Sequence, residues 1–429
     1  MKAGVAERAP KPPDRKTCLM KTPVPDYLDE VLDSLRDDTS GANADYIPEL
    51  AEADPERFGM ALTTTLGRTY AAGDADTEFS IQSISKPFAY AAAIIDRGLD
   101  RVLDAVGVEP SGEAFNELSL EGGTHRPKNP MINAGAITTH SLLVGAEAGP
   151  DDRVERAVTF FSRLAGRDLR VDERVCASEL GSAHRNLALA YMLRTYGILD
   201  GDVPSVVEGY TRQCSILVSV RDLSVMAATL ATGGVQPVTG ERVMGPSVAR
   251  HVMAVMAAAG MYDAAGDWLT RVGIPAKSGV AGGIVGVLPD RVGIGTFSPR
   301  LDSFGNSQRG RRAFERLSQD MGMHLFSADR GRVDAVDVSE SPGTVIFALQ
   351  GNVQVTAASE LLDLMAESDG AADVVLDVTK VHSFSDLGRR MSLEGLRRLR
   401  LDGRRVALRD PSGVLPDPDL GDGTYPDAC

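Results

Sequence analysis

The chain has no excess of positive charge. Its 429 residues include 45 Lys and Arg against 60 Asp and Glu, for a formal net charge of −15. Nucleic acids and anionic membranes bind basic surfaces, because such surfaces displace their counterions. The charge therefore excludes a general nucleic-acid or membrane-surface binder and favours a small solute or a protein as the partner.

Cysteine pairs, histidine clusters and long apolar runs are also missing. The four cysteines stand far apart without a C-x-x-C pair, which fits reduced thiols better than a disulfide framework. The six histidines form no H-x-x-x-H pair and no cluster with cysteine, so we predict no metal site. No uncharged apolar run approaches the roughly 18 residues that a bilayer span needs. We expect a soluble, cytoplasmic protein.

Composition and periodicity divide the chain into four segments. Residues 1–25 are charged and proline-rich, which predicts a flexible leader. Within residues 26–328, strand patterns at both ends surround alanine-rich helical patterns, which predicts one discontinuous sheet with a helical lobe. Residues 327–343 are polar and predict a connector into a second unit, residues 335–415, whose strand and helix patterns alternate like a small α/β domain. The turn-forming residues 416–429 predict a flexible tail.

The stretch FSIQSISKPFAY, residues 79–90, places three serines before one lysine, Lys86. If Ser83 opens the following helix, Lys86 lies about 60° from it around the axis. The corresponding angles are about 100° for Ser85 and about 120° for Ser80, so only Ser83 faces the lysine. A buried lysine with a lowered pKa can take the proton that makes a serine nucleophilic. Taken alone, such a pair is more often a helix cap followed by a lysine that reaches solvent.

A second element that fits this chemistry lies in AKSGVAGG, residues 276–283, where we predict K-S-G on a strand. The longer stretch 273–299 is dense in glycine, valine and isoleucine and breaks at Pro289-Asp290, which predicts two central strands in a hairpin. K-[ST]-G on a strand accompanies S-x-x-K in serine penicillin-recognising enzymes. Small residues let a substrate carbonyl approach the backbone, so we expect the N–H groups of Val280 and Ser83 to form an oxyanion hole. By itself, the segment fits a glycine-rich hairpin equally well.

Further motifs follow one another between about residues 40 and 308: ADYIPELA, EPSGEAFN, NPMINAGAI, a serine-glutamate pair followed by RN, QCSILV, SVMAATLATGG, TGERV, AAGMYDAAG and GNSQRG. Together with the two segments above, they resemble the serine-dependent glutaminases, relatives of the β-lactamase fold. The resemblance implies an α/β (α+β) fold with a β-lactamase/penicillin-binding-protein-like sheet and a helical lobe. It also implies hydrolysis of L-glutamine to L-glutamate and ammonia through a serine-bound γ-glutamyl ester, without a cofactor. We further expect a homo-oligomer, a dimer or tetramer.

The resemblance implies a role for each of nine residues. The nucleophile is Ser83, the base Lys86, a proton-transfer residue Tyr262 and an oxyanion donor Val280, and further substrate contacts are Tyr46, Asn133, Glu179, Asn186 and Tyr210. Glu179 supplies the negative charge that the substrate ammonium needs, while amides and phenols can bond the substrate carboxylate. Outside the family order, each residue has an ordinary interpretation as a cap, a turn residue or a solvated helix start.

The sequence departs from the family pattern in one loop. The common S-E-x-x-x-G-D-x-N segment reads SELGSAHRN, so Ala183 and His184 replace a glycine and an aspartate while Glu179 and Asn186 keep their spacing. The S-D-N box of the β-lactamase relatives has no counterpart, which weakens the alternative of a penicillin-recognising acylase or β-lactamase. The other alternative is a glutamine sensor that binds without turnover.

The segment 335–415 resembles a STAS domain (sulfate transporter and anti-sigma-factor antagonist) through FALQG, ADVVLDVTKVHSF and LGRRMSLEGLRRLRLDGRRVALRDP. Such domains often carry a phosphorylated serine at a helix start, where this chain has Asp386. Its permanent negative charge suits a helix N-terminus, although a plain helix cap is the more usual interpretation. We expect a regulatory or assembly unit with its own protein partner or ligand.

Overall fold

The computed structural model describes residues 24–112, 117–145, 148–326, 336–368 and 373–429. The strands are β1 Gly59–Thr64, β2 Thr69–Gly73, β3 Phe79–Ser80, β4 Leu217–Val218, β5 Ala276–Ser278, β6 Gly283–Leu288, β7 Val292–Phe297, β8 Val336–Ser341, β9 Thr344–Val353, β10 Asp373–Phe384, β11 Val406–Arg409 and β12 Asp427–Ala428. The helices are α1 Val24–Leu35, α2 Pro48–Ala51, α3 Ser85–Arg97, α4 Leu99–Ala105, α5 Asn133–Ser141, α6 Pro150–Ala165, α7 Glu173–Gly181, α8 His184–Thr195, α9 Val203–Cys214, α10 Val220–Ala231, α11 Pro246–Ala259, α12 Ala265–Arg271, α13 Gln308–Asp320, α14 Val355–Glu367 and α15 Asp386–Leu401.

The first sheet joins the two ends of the region predicted as discontinuous. Its strand order is β2-β1-β7-β6-β5, and every neighbouring pair is antiparallel. The predicted hairpin of β1 and β2 is present, and β1 also pairs with β7. The glycine-rich segment after residue 275 forms three strands instead of the two predicted, because a tight turn separates β5 from β6. In that turn the N–H of Gly279 donates to the carbonyl of Gly283 at 2.9 Å.

Glycines in β7 allow a helix to lie directly on this sheet. A Cβ atom at Gly293 would overlap the backbone of Ala228, and one at Gly295 would meet Leu223, both in α10. Because neither side chain exists, α10 contacts β1, β6 and β7 closely. Helices α6 and α11 pack against α10, and α3 is buried along most of its length, which suits its alanine-rich sequence.

The second sheet has the order β12-β11-β10-β9-β8. Strands β9 to β12 are parallel, whereas β8 pairs antiparallel with β9. The predicted sequence of strand, helix, strand, helix and strand corresponds to β9, α14, β10, α15 and β11. Residues 336–341, which the sequence indicates as connector, form β8 instead, because its backbone completes the edge of the sheet through β9. The rest of that connector, residues 327–335, lies outside the described residues.

The segment predicted as a flexible tail is bound to this sheet. Asp427 pairs with Ala407 of β11, and the side chains of Leu415 and Leu420 are buried. The sequence did not predict these contacts, because the apolar residues that make them are isolated among glycines, prolines and aspartates and form no periodic pattern. The sequence predicts a flexible tail for residues 416–429, whereas the structure pairs its last strand with β11 and buries Leu420.

Helix α1 connects the two sheet-containing parts of the chain. It contacts β2 and α13 on one side and α15 on the other, and its apolar residues belong to one buried cluster that also includes α14 and α15. Arg68 pairs with Asp363 across this contact, and Arg390 pairs with Glu30 at 2.8 Å. Residues 1–23 of the predicted leader lie outside the described residues, while Val24 is buried and already begins α1.

Candidate active site

Ser83 lies in a 3₁₀ turn, Gln82–Ile84, that runs directly into α3. The α-helix therefore begins two residues later than the prediction assumed. Residues i and i+3 eclipse one another in 3₁₀ geometry, so this start preserves the spacing argument for Ser83 and Lys86. The preceding residue, Gln82, has a φ of +49°, a left-handed conformation that non-glycine residues rarely adopt. Backbone strain of this kind concentrates at functional sites.

Lys86 is almost completely buried, and its amine bonds to a side-chain amide and a backbone carbonyl. Its Nζ donates to Asn133 Oδ1 at 2.7 Å and to the carbonyl of Met131 at 3.3 Å. Burial lowers its pKa from 10.5 to about 8. About a tenth of the amine is thus uncharged at pH 7, and this is the form that can accept a proton.

Tyr262 stands next to Ser83, in a 3₁₀ turn between α11 and α12. Its phenol is hydrogen-bonded to the Ser83 side chain and donates to the carbonyl of Ser278 at 2.9 Å. Tyr262 also has a left-handed φ, of +58°. Burial raises its pKa above the ordinary value, so the phenol keeps its proton at neutral pH.

Glu179 is the carboxylate that lines the candidate cavity. Its Oε1 accepts hydrogen bonds from the Tyr46 hydroxyl at 2.8 Å and from Gln82 Nε2 at 3.0 Å. Burial raises the pKa of Glu179, and these two donors partly offset that effect. An incoming ammonium would stabilise the ionised form further.

Asn133 and Asn186 form a second polar group in the site. Asn133 begins α5 and donates from Nδ2 to Asn186 Oδ1 at 3.0 Å. Its Oδ1 is the acceptor of the Lys86 bond, so the two contacts fix the orientation of this amide. The side chain of Tyr210, from α9, is buried beside them and hydrogen-bonded to Cys214.

Seven of the nine predicted residues line one cavity of about 360 Å³, within the roughly 300–1,000 Å³ usual for small-ligand pockets. They are Tyr46, Ser83, Asn133, Glu179, Asn186, Tyr210 and Val280. The other two, Lys86 and Tyr262, lie directly behind this wall and bond to Asn133 and Ser83. The structure thus brings together residues separated by more than 200 positions in sequence.

Val280 lies in the turn after β5, and Gly279 also falls in this turn instead of on the predicted strand. A Cβ atom at Gly279 would lie 3.1 Å from the Ile81 carbonyl and 3.2 Å from the Ile84 side chain. The missing side chain therefore allows the turn to approach the segment that carries Ser83. This contact places Val280 at the same cavity as the serine.

Three residues of this site were not predicted from the sequence. Gln82 and Cys214 line the cavity, and Lys277 is fully buried beside Tyr262. Both Cys214 and Lys277 occur in motifs used for the resemblance, QCS and AKSG, so position in a motif was their only signal. The hydrogen bond from Gln82 to Glu179 spans 97 positions and has no local signature.

The loop SELGSAHRN departs from the family pattern, but residues near its two ends still line the cavity. Ala183 is buried, lines the cavity and precedes the first residue of α8, whereas His184 is exposed. Glu179 and Asn186 both face the same cavity despite the two replacements. Within the described part of the chain, no group of three His, Cys, Asp or Glu side chains is arranged to hold a metal, and no helix is long and apolar enough to cross a bilayer.

Comparison with known proteins agrees with this architecture. The model of the family described as "Glutaminase" matches residues 41–326. A glutaminase of Corynebacterium efficiens is 52% identical over 404 residues, covering 94% of this chain and 96% of the relative. A glutaminase of Corynebacterium glutamicum is 50% identical over 408 residues, covering 95% and 98%.

Solved structures give the same result. One described as "Crystal Structure Analysis of Mglu" is 53% identical with a TM-score of 0.72, covering 92% of this chain and 100% of the other. A probable glutaminase from Bacillus subtilis, complexed with 6-diazo-5-oxo-L-norleucine, is 34% identical with a TM-score of 0.65 and covers 72% and 99%. These structural neighbours confirm the predicted fold class, a mixed α/β fold of the β-lactamase-like type. The glutaminase relatives confirm the prediction that the protein is an enzyme.

The chain belongs to the glutaminase family.

Proposed function

We propose that this enzyme hydrolyses L-glutamine through a γ-glutamyl ester on Ser83. The observation that carries the proposal is the position of Ser83 in the cavity wall, with its side chain hydrogen-bonded to the Tyr262 phenol and a buried lysine one turn further along. A serine with a nearby amine of pKa about 8 and a protonated phenol has both a base and an acid at hand.

The reaction has two halves that share these groups. Lys86 takes the proton of Ser83 as Oγ attacks the side-chain amide carbon, and the N–H groups of Ser83 and Val280 stabilise the oxyanion. The C–N bond then breaks as the nitrogen receives the Tyr262 proton and leaves as ammonia, and the phenolate recovers the proton held by Lys86. Water repeats the sequence on the ester, releasing L-glutamate and restoring the Ser83 hydroxyl.

Recognition of the amino-acid end rests on the opposite wall of the cavity. The Glu179 carboxylate suits the α-ammonium, because its two existing donors, Tyr46 and Gln82, hold it in place. Asn186 and Tyr210 offer an amide and a hydroxyl to the α-carboxylate. The Bacillus subtilis relative, whose complex contains an α-amino acid with a side-chain carbonyl, supports an amino acid of this kind as the substrate.

The decisive experiment compares ammonia and glutamate release from L-glutamine by the wild type and by Ser83→Ala. We expect turnover by the wild type and a loss of at least about a thousandfold in the folded variant. Ser85→Ala is the matched control for the neighbouring serine, since Ser85 bonds to Gln213 and Cys214 but does not itself line the cavity. Turnover that survives in Ser83→Ala would contradict the assignment of the nucleophile.

We propose that the second sheet, β8 to β12, with α14 and α15 is a STAS-like unit that regulates or assembles the enzyme. Its parallel strands and its two helices support this, as does its buried contact with α1. Asp386 is the first residue of α15, where Ser385 forms the cap by accepting from the Gly388 N–H. Removal of the residues after 334 should change kinetics, oligomeric state or nucleotide response. If all three stayed unchanged, this role would be refuted.

We also infer a cytoplasmic homo-oligomer, a dimer or tetramer. Tyr191 and Met192 on α8 and Tyr196 directly after it are exposed by 52%, 37% and 40%, which leaves an apolar surface for a second copy to cover. Light scattering on the purified protein gives the subunit number, and a monomer at all concentrations would contradict the inference.

A further inference from the structure

Lys277 lies against the Tyr262 ring and shares a hydrogen-bond acceptor with the Tyr262 hydroxyl. Its Nζ lies 3.9 Å from the centroid of the Tyr262 ring and donates to the carbonyl of Ser278 at 2.7 Å. The Tyr262 hydroxyl donates to that same carbonyl at 2.9 Å. Two side-chain donors therefore converge on one backbone oxygen, and one of them is the phenol that bonds to Ser83.

Lys277 is fully buried, and burial lowers its pKa well below the usual range. The positive charge of Lys86 lowers it further, while Cys214 acts weakly in the opposite direction. Burial therefore favours the neutral form of this amine. In that state it can donate to a carbonyl without adding a second cation beside Lys86.

The proposed reaction requires the Tyr262 hydroxyl to change partners. A phenol has a single hydrogen, and in this structure it is directed at the Ser278 carbonyl. To protonate the leaving nitrogen, the O–H must rotate away from that carbonyl. A buried carbonyl without a donor is unfavourable, so the rotation is hindered unless another donor remains on the oxygen.

We propose that Lys277 is a positioning residue that keeps the Ser278 carbonyl satisfied and the Tyr262 ring in place, so that the phenol can rotate between this carbonyl and the leaving nitrogen. The inference rests on the proposed function, specifically on proton donation by Tyr262. Without the Lys277 amine, the phenol would be held on the Ser278 carbonyl. Proton transfer to the departing nitrogen would then be slowed more than any other step.

The leaving group of the substrate distinguishes this role from a structural one. The test compares kcat/KM of Lys277→Met for L-glutamine and for the γ-p-nitrophenyl ester of L-glutamate, whose leaving group departs as an anion and needs no proton. We expect a loss of about 10–100-fold for L-glutamine and less than about threefold for the ester. An equal loss for both substrates, or none for L-glutamine, would overturn the proposal.

Two further variants guard against misfolding. Lys277→Gln keeps an N–H donor in a polar side chain and should show the same preference for the ester with a smaller loss on L-glutamine. Lys380→Met removes an exposed lysine of β10 and should leave both substrates unaffected. Thermal melting of each variant confirms that the compared samples are folded.

A double-mutant cycle supplies an independent readout. If Lys277 acts through Tyr262, Lys277→Met should cost less than about twofold in kcat/KM for L-glutamine in a Tyr262→Phe background. Losses that multiply would refute the proposal. Ser83→Ala distinguishes a failure of the proposed function from a failure of this inference. Turnover of L-glutamine by Ser83→Ala would contradict the proposed function. If Ser83→Ala is inactive but Lys277→Met loses equal activity on both substrates, only the role of Lys277 is contradicted.

Discussion

Asn133 Oδ1 accepts a hydrogen bond from Lys86 Nζ at 2.7 Å, and this contact joins the proposed base to the wall of the cavity. A neutral lysine amine has two N–H groups and one lone pair. The amine donates to Asn133 and to the Met131 carbonyl, and in its neutral form the lone pair is the part of the nitrogen that takes up a proton. The asparagine therefore helps to orient the base as well as to line the site.

The rate should rise with pH through the titration of Lys86. Because only its neutral form accepts the Ser83 proton, kcat/KM for L-glutamine should fall about tenfold per unit below the pKa of about 8 and level off above it. Because the lysine is buried, added salt should shift the pH at which kcat/KM falls only slightly. A stopped assay across the pH range, with fluorescence at each pH as a control for folding, measures it. A flat profile through neutral pH would exclude Lys86 as the base.

Glu179→Gln should weaken binding of the substrate ammonium. A charge-assisted hydrogen bond contributes about 1.5–3 kcal/mol, so KM should rise about 10–100-fold with a smaller change in kcat. Selectivity against glutaramate, which lacks the amino group, should fall in parallel. Glu173→Gln is the matched control, because Glu173 opens the same helix with its side chain 70% exposed. The assignment fails if selectivity for the amino group is unchanged.

Gly279→Ala should separate the turn that holds Val280 from the Ser83 segment. The new Cβ would lie 3.1 Å from the Ile81 carbonyl, which is closer than ordinary contact. We expect kcat to fall about tenfold or more as the oxyanion contacts lengthen. Gly266→Ala, in α12 with open space around it, should keep full activity and gain up to about 1 kcal/mol of stability. Equal kinetics in the two variants would contradict this function of Gly279.

Arg68→Ala should destabilise the contact between the two sheet-containing parts. Arg68 pairs with Asp363, a carboxylate whose pKa burial raises, and the variant would leave that group without its cation. We expect a loss of about 1–3 kcal/mol in urea unfolding, partly restored by Asp363→Asn. Arg36→Ala breaks the exposed pair with Asp33, with side chains 63% and 70% exposed, and should cost less than about 0.5 kcal/mol. Comparable losses of unfolding free energy in both variants would show that the Arg68–Asp363 pair contributes no more than an exposed ion pair.

Local patterns predicted the parts of the fold that repeat along the chain. The hairpin of β1 and β2, the alanine-rich helices and the alternation from β9 to β11 all have periodic apolar residues. Two of the strands that were missed, β8 and β12, are edge strands with mostly exposed residues. Their position depends on backbone pairing with a neighbour that the local sequence does not contain.

Some residues of the candidate site could also be predicted from local patterns, and others could not. The spacing of Ser83 and Lys86 could be read locally, because a helical turn brings residues three apart onto one face. The remaining cavity residues were predicted by resemblance, since an isolated asparagine or tyrosine has no local signature. Gln82 was not predicted, because its bond to Glu179 exists only once α7 packs beside the serine turn.

The amino-acid sequence by itself determined the fold class, the serine and lysine pair and the order of the site residues along the chain. Only the tertiary structure decided which amines and phenols share a desolvated space. That space lowers the pKa of Lys86, raises that of Tyr262 and directs Tyr262 and Lys277 to a single carbonyl. The reason is physical: helical spacing is a property of neighbours in sequence, whereas burial and its electrostatic effects depend on packing between distant segments.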